Sequence, residues 1–85
     1  MTAALQTLVD EGKIRAFFED DINLDTVYVH ANCTYNYAEE CYDNATEELS
    51  HFMRQFMILH GYKFRYSDVE SLEPDYTVEC WVYTR

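Results

Sequence analysis

Glycine and proline are scarce, with two Gly and one Pro in 85 residues, which excludes a flexible linker, a collagen-like repeat and a low-complexity tail. Basic residues are few as well, six Lys and Arg against sixteen Asp and Glu, for a formal charge of −10. A protein that grips nucleic acid through its phosphates needs clustered Lys and Arg, so direct nucleic-acid binding is not expected. No run approaches the ~20 apolar residues that cross a bilayer. Strong negative charge also opposes adsorption to anionic lipid, so no membrane partner is expected. The start Met1-Thr2-Ala3-Ala4-Leu5 lacks the basic residues and apolar run of a secretory signal. Cys33, Cys41 and Cys80 are odd in number and show no paired spacing, as suits reduced thiols. These absences together lead to the expectation of a cytoplasmic protein.

What remains is rich in material for a core. Hydrophobic residues make up 48% of the chain, with eight Tyr, five Phe and one Trp. A chain of this length buries only about 60–65% of its extended surface, which supports one core and one domain over residues 1–85.

Leu5, Leu8 and Val9 recur at helical spacing before Gly12, a natural residue just past a helix end, and predict a short helix over 3–11. Residues 13–18 then alternate as a strand with Ile14, Ala16 and Phe18 on one side. The competing reading carries the helix through Gly12 to Phe18 at about 1 kcal/mol for the glycine. An acidic, turn-rich loop, Glu19-Asp20-Asp21-Ile22-Asn23-Leu24-Asp25, follows. Residues 26–33 alternate strictly, placing Val27, Val29, Ala31 and Cys33 toward the core and Tyr28, His30 and Asn32 on the other face.

Asn36 and Glu39 fit the N-cap and N3 positions of a capping box. From there Ala38, Cys41, Ala45, Leu49, Phe52, Phe56 and Leu59 form an apolar stripe, widened by Met53 and Met57, until Gly61. The pattern predicts one long helix of about 24 residues, roughly 36 Å. Residues 62–66 and 76–83 read as strands joined by an acidic connection. In the last strand Val78, Cys80 and Val82 share one face, and Thr77, Glu79, Trp81 and Tyr83 the other. The order predicts an α+β domain: a three- or four-stranded, mostly antiparallel sheet on the long helix, plus the short N-terminal helix.

Chemistry is harder to find. No Cys-x-x-Cys or His-x-x-x-His pair organises a metal site, and His51 and His60 stand about 13 Å apart along a helix. The cysteines fall on expected core faces, where a thiol acts as a small hydrophobe. No glycine-rich phosphate loop is present. Neither metal nor cofactor is expected, and the chain does not read as an enzyme.

Two surfaces carry information instead. Glu39, Glu40, Asp43, Glu47 and Glu48 load the first half of the expected long helix. Glu39, Asp43 and Glu47 at i, i+4 and i+8 form a line whose mutual repulsion costs tenths of a kcal/mol per pair. At about one charge per 3 Å, the row lies between the phosphate spacing of a duplex and that of a single strand. Asp20 and Asp21 belong to a second acidic cluster. The other surface is the sheet face away from the helix, where Tyr28, His30, Trp81 and Tyr83 are expected, with Phe17 if 13–18 is a strand. Aromatics with polar tips suit a protein interface, including a homodimer, unless the N-terminal helix covers them.

In size, acidity and α+β layout the whole chain resembles the small virus-encoded inhibitors of bacterial defence, the anti-CRISPR and anti-restriction proteins that act as DNA mimics. Charge and proportions carry the resemblance. It implies an inhibitor in the host bacterial cytoplasm that binds the basic surface of a nucleic-acid-binding protein. Glu39, Glu40, Asp43, Glu47 and Glu48 would meet that protein's Lys and Arg. The alternative is an adaptor, such as a binder of transcription machinery, that works through the aromatic sheet face.

Overall fold

A computed structural model describes residues 2–20, 22–23, 25–36, 38, 41–43, 47–73 and 76–85. Helix α1 spans Thr2–Asp10, followed by strands β1 (Ala16–Glu19), β2 (Thr26–Asn32), β3 (Thr34–Asn36) and β4 (Cys41–Asp43). Helix α2 (Glu47–Leu59) and strands β5 (Lys63–Glu73) and β6 (Tyr76–Thr84) complete the chain. The domain is α+β: an antiparallel four-stranded sheet in the order β1-β2-β6-β5, with β3 and β4 paired separately.

Both helices end the same way. Gly12 has φ 75° and Gly61 φ 84°, left-handed values that cost a side chain strain. At the first, the Gly12 N–H donates to the Val9 carbonyl and the Lys13 N–H to that of Leu8. At the second, Gly61 donates to Ile58 and Tyr62 to Met57. This paired pattern is the Schellman motif, which satisfies carbonyls the helix leaves open. It also turns each chain end inward, so Ile14 and Tyr62 follow into the core at 2% and 5% exposure. The strand reading of the segment after Gly12 is correct over Ala16–Glu19.

The long helix is not formed as expected. Asn36, read as its cap, lies in β3 and pairs with Cys41, while Asp43 lies in β4 opposite Thr34. The helix begins at Glu47 and has 13 residues. Two physical causes are visible. Thr34-Tyr35 and Cys41-Tyr42 favour strands, and a helix there would have lined Glu39, Asp43 and Glu47 against one another. Starting at Glu47 instead puts Glu47 and Glu48 in the first turn, where the helix dipole favours acids.

Register fixes the faces. Directly opposed residues in an antiparallel sheet share a face. Phe17, Val29, Trp81 and Ser67 therefore form one row across the four strands, and Glu19, Val27, Tyr83 and Phe64 another. Both rows face the helices. The core unites Leu5 and Leu8 of α1, Met53 and Met57 of α2, and Val27, Val29, Ala31, Trp81 and Tyr83 of the sheet. Both helices thus cover one face. Arg54 of α2 lies 4.1 Å from the Phe64 ring centre, and Phe64 packs edge-on to Tyr83 at 5.8 Å, tying α2 to the far edge.

Trp81 and Tyr83 are therefore not on the open face, as expected from the sequence, but beneath the helices at 1% exposure each. Burial pushes the Tyr83 phenol well above its usual range. Phe17 likewise packs against the core, leaving Phe18 outward. The stripe of α2 centres on the fully buried Met53 and Met57, with Leu59 exposed.

Candidate interaction surface

The face without helices is built from the alternate residues of the same strands. One row runs Phe18, Tyr28, Val82, Tyr66 across β1, β2, β6 and β5. The next runs Ala16, His30, Cys80, Asp68. With strands about 4.8 Å apart, a row of four spans roughly 14 Å. Its centre is filled: Val82, Cys80 and His30 are buried. Its flanks are open, with Phe18 at 52% and Tyr66 at 58% exposure. Phe18 meets the His30 ring edge-on at 5.0 Å, a favoured geometry for aromatic pairs.

Tyr28, half-buried in this row, donates its hydroxyl to Asp20 Oδ2 at 3.2 Å. The other carboxylate oxygen, Oδ1, accepts the N–H groups of Ile22 (2.8 Å) and Asn23 (3.1 Å). The Asn23 carbonyl then accepts the Thr26 N–H, closing the turn into β2. The backbone N–H groups of Asn23 and Ile22, and then the Tyr28 hydroxyl, lower the Asp20 pKa. Burial, followed by the Asp20 hydrogen bond and charge, raises that of Tyr28. Asp20 thus holds its own loop and anchors one aromatic at the edge of the face.

A pH dependence follows. The Asp20 pKa in the folded chain is below its ordinary value, so its stabilisation is complete above the ordinary carboxylate range. It is lost as pH falls through the lowered value. Asp20→Asn should therefore be less stable than the parent at neutral pH, because hydrogen bonds to a charged acceptor are stronger. The urea midpoints of the two proteins should converge in acid. A gap independent of pH would refute this role.

The remaining candidate residues are dispersed. Glu47 and Glu48 are exposed on α2, on the helix side of the sheet. Asp43 is in β4, so it shares no helix line with Glu47. Glu39, Glu40 and Asp21 lie outside the described residues. The structure therefore separates Tyr28 from Trp81, Tyr83 and the α2 acids. It adds two residues not singled out for this face, Phe18 and Tyr66. Their exposure depends on the pairing register, for which neither strand's own sequence carries a signal.

Basic groups are partly engaged within the chain. Lys13 Nζ is 3.2 Å from Glu11 Oε2 and lies over the Phe52 ring, while Arg85 lies over Tyr62. A groove of about 300 Å³ beside α2 is lined, among the described residues, by Lys13, Glu48, Leu49 and Phe52. Burial raises the Cys33 thiol pKa, with the Glu79 charge adding to it, and so disfavours the nucleophilic thiolate. Among the described residues, no three His, Cys, Asp or Glu gather as a metal-holding group, and no helix is long and apolar enough to cross a membrane. The chain matches no protein-family model, no curated protein and no solved structure.

Proposed function

We propose that this is a non-enzymatic binding protein that docks its helix-free sheet face on the basic surface of a nucleic-acid-binding protein and so excludes the nucleic acid. The observation that carries the reading is the row Phe18–Tyr28–Val82–Tyr66, open at both flanks, on a chain of net charge −10. Aromatic side chains supply contact area at low entropic cost. The surplus carboxylates steer a cationic partner and weaken the complex as salt rises. The charge also argues against bases stacking directly on the aromatics. The acids act as a diffuse field, because the continuous helical row of carboxylates is absent.

Displacement of a fluorescent duplex from a panel of purified nucleic-acid-binding proteins tests the proposal. The protein should release the duplex from at least one of them at low salt. The double variant Phe18→Ala, Tyr66→Ala should be at least about tenfold weaker, since interface aromatics carry much of such affinity. It should remain folded, both side chains being half exposed. No displacement anywhere, or displacement the double variant retains, would overturn the reading. The exposed row also favours an adaptor or homodimer that uses the aromatics alone. In that case Glu47→Gln, Glu48→Gln and Asp68→Asn together would leave binding unchanged.

A further inference from the structure

The sheet has two edges of different kinds. β1 is four residues long and lies beside α1, whereas β5 is eleven residues long and forms the other edge. No strand among the described residues pairs with its outer side. Arg65, Tyr66, Ser67, Asp68 and Val69 are all exposed. An edge strand of this length presents a row of backbone N–H and C=O groups with no ladder partner, a template for another chain. The strand's charge is polarised: Lys63 and Arg65 fall in its first half, and Asp68, Glu70 and Glu73 in its second.

We propose that the acidic half of β5 takes up an extended, lysine- or arginine-rich segment of another protein as a fifth strand. Backbone hydrogen bonds supply the affinity, and a basic residue of the segment meets the exposed Asp68, with Glu70 at the next alternate register position of the strand. Charge selects this occupant over a second copy. Antiparallel self-pairing centred on Asp68 sets that acid against itself and Lys63 against Glu73, so the strand alone is balanced, but each copy brings −10, a repulsion that a basic segment does not meet. The proposal shares with the preceding reading the sign of the partner's charge and the strand that carries Tyr66 and Asp68. It concerns the edge, and the edge takes its peptide whether or not Phe18 matters.

The probe is a short synthetic peptide alternating lysine and threonine, beside the same peptide N-methylated at alternate residues. Methylation keeps every charge and removes the ladder donors. The unmodified peptide should slow hydrogen exchange at alternate amides of residues 68–73, and the methylated one should bind at least about tenfold more weakly. Phe18→Ala should bind the unmodified peptide unchanged, which separates this site from the aromatic face. Failure of the peptide to bind, equal binding by both peptides, or protection confined to β1 would each overturn the proposal. Because the decisive comparison changes the peptide, it does not depend on a β5 variant folding.

Discussion

Trp81→Ala is expected to unfold most of the population or to lower the melting temperature by about 12 °C or more. Trp81 is 1% exposed between Val29 and Ser67 on the helix side of the sheet, in the cluster with Leu5, Met53 and Met57. Removing a buried Trp side chain costs about 3–5 kcal/mol in transfer and cavity terms. A domain of this length has roughly 4–13 kcal/mol in all. Each kcal/mol moves the melting point of so small a domain by about 4–8 °C. The indole N–H donates to Glu79 Oε1 at 2.8 Å, and that bond disappears with the ring. Thermal unfolding followed by circular dichroism checks the outcome. A variant that melted like the parent and lost only a binding partner would place Trp81 on the open face instead. Trp81→Phe keeps most of the buried area and should lose far less.

That expectation reverses the one drawn from the strand's own pattern, and the reason is physical. In β6, Val78, Cys80 and Val82 alternate with Trp81 and Tyr83, and both sets are apolar. Alternation reports which residues share a face, but an inside and an outside emerge only when one set is polar. All five of these residues are buried. β6 has a strand on each side, as the centre of the sheet. In β2 the core face Val27, Val29 and Ala31 was legible, because the intervening Tyr28, His30 and Asn32 are polar-tipped.

Helix ends divided in the same way. Gly12 and Gly61 marked both C-termini, because only a left-handed residue closes the Schellman pattern that the structure contains. The start of α2 was misplaced, since Asn36-x-x-Glu39 satisfies the capping-box spacing without capping the helix. The apolar residues upstream, Ala38, Cys41 and Ala45, extend the helical stripe on paper. What decided against them is the β3–β4 pairing, a contact between segments that a helical period does not register. The acidic row disappeared with that part of the helix, whereas the charge that motivated it remained. The candidate surface was thus legible as a kind, an aromatic sheet face on an acidic chain, with Tyr28 correctly on it. The other exposed aromatics became identifiable only once register placed Phe18 and Tyr66 in the Tyr28 row.

The orientation of α2 allows a second large effect to be set against a small one. Met57→Asp should abolish folding or detach α2, whereas Leu59→Asp, two residues on, should change stability by no more than about 0.5 kcal/mol. Met57 has no exposed surface and contributes both to the core and, through its carbonyl, to the Tyr62 turn. Leu59 is 84% exposed at the last helical position. An ionised carboxylate at Met57 would lose its hydration in a fully buried position, at a cost of several kcal/mol. Burial would raise the new carboxyl's pKa in the folded state, so the defect should be greatest at neutral pH and lessen as acid neutralises the group. Met57→Ala separates charge from lost packing, with an expected loss of about 2–5 kcal/mol. Urea unfolding of the three variants at neutral and acidic pH reads all of this. Equal damage from Asp at Met57 and at Leu59 would mean that α2 packs by a different face, and the core drawn around Met53 and Met57 would fall with it.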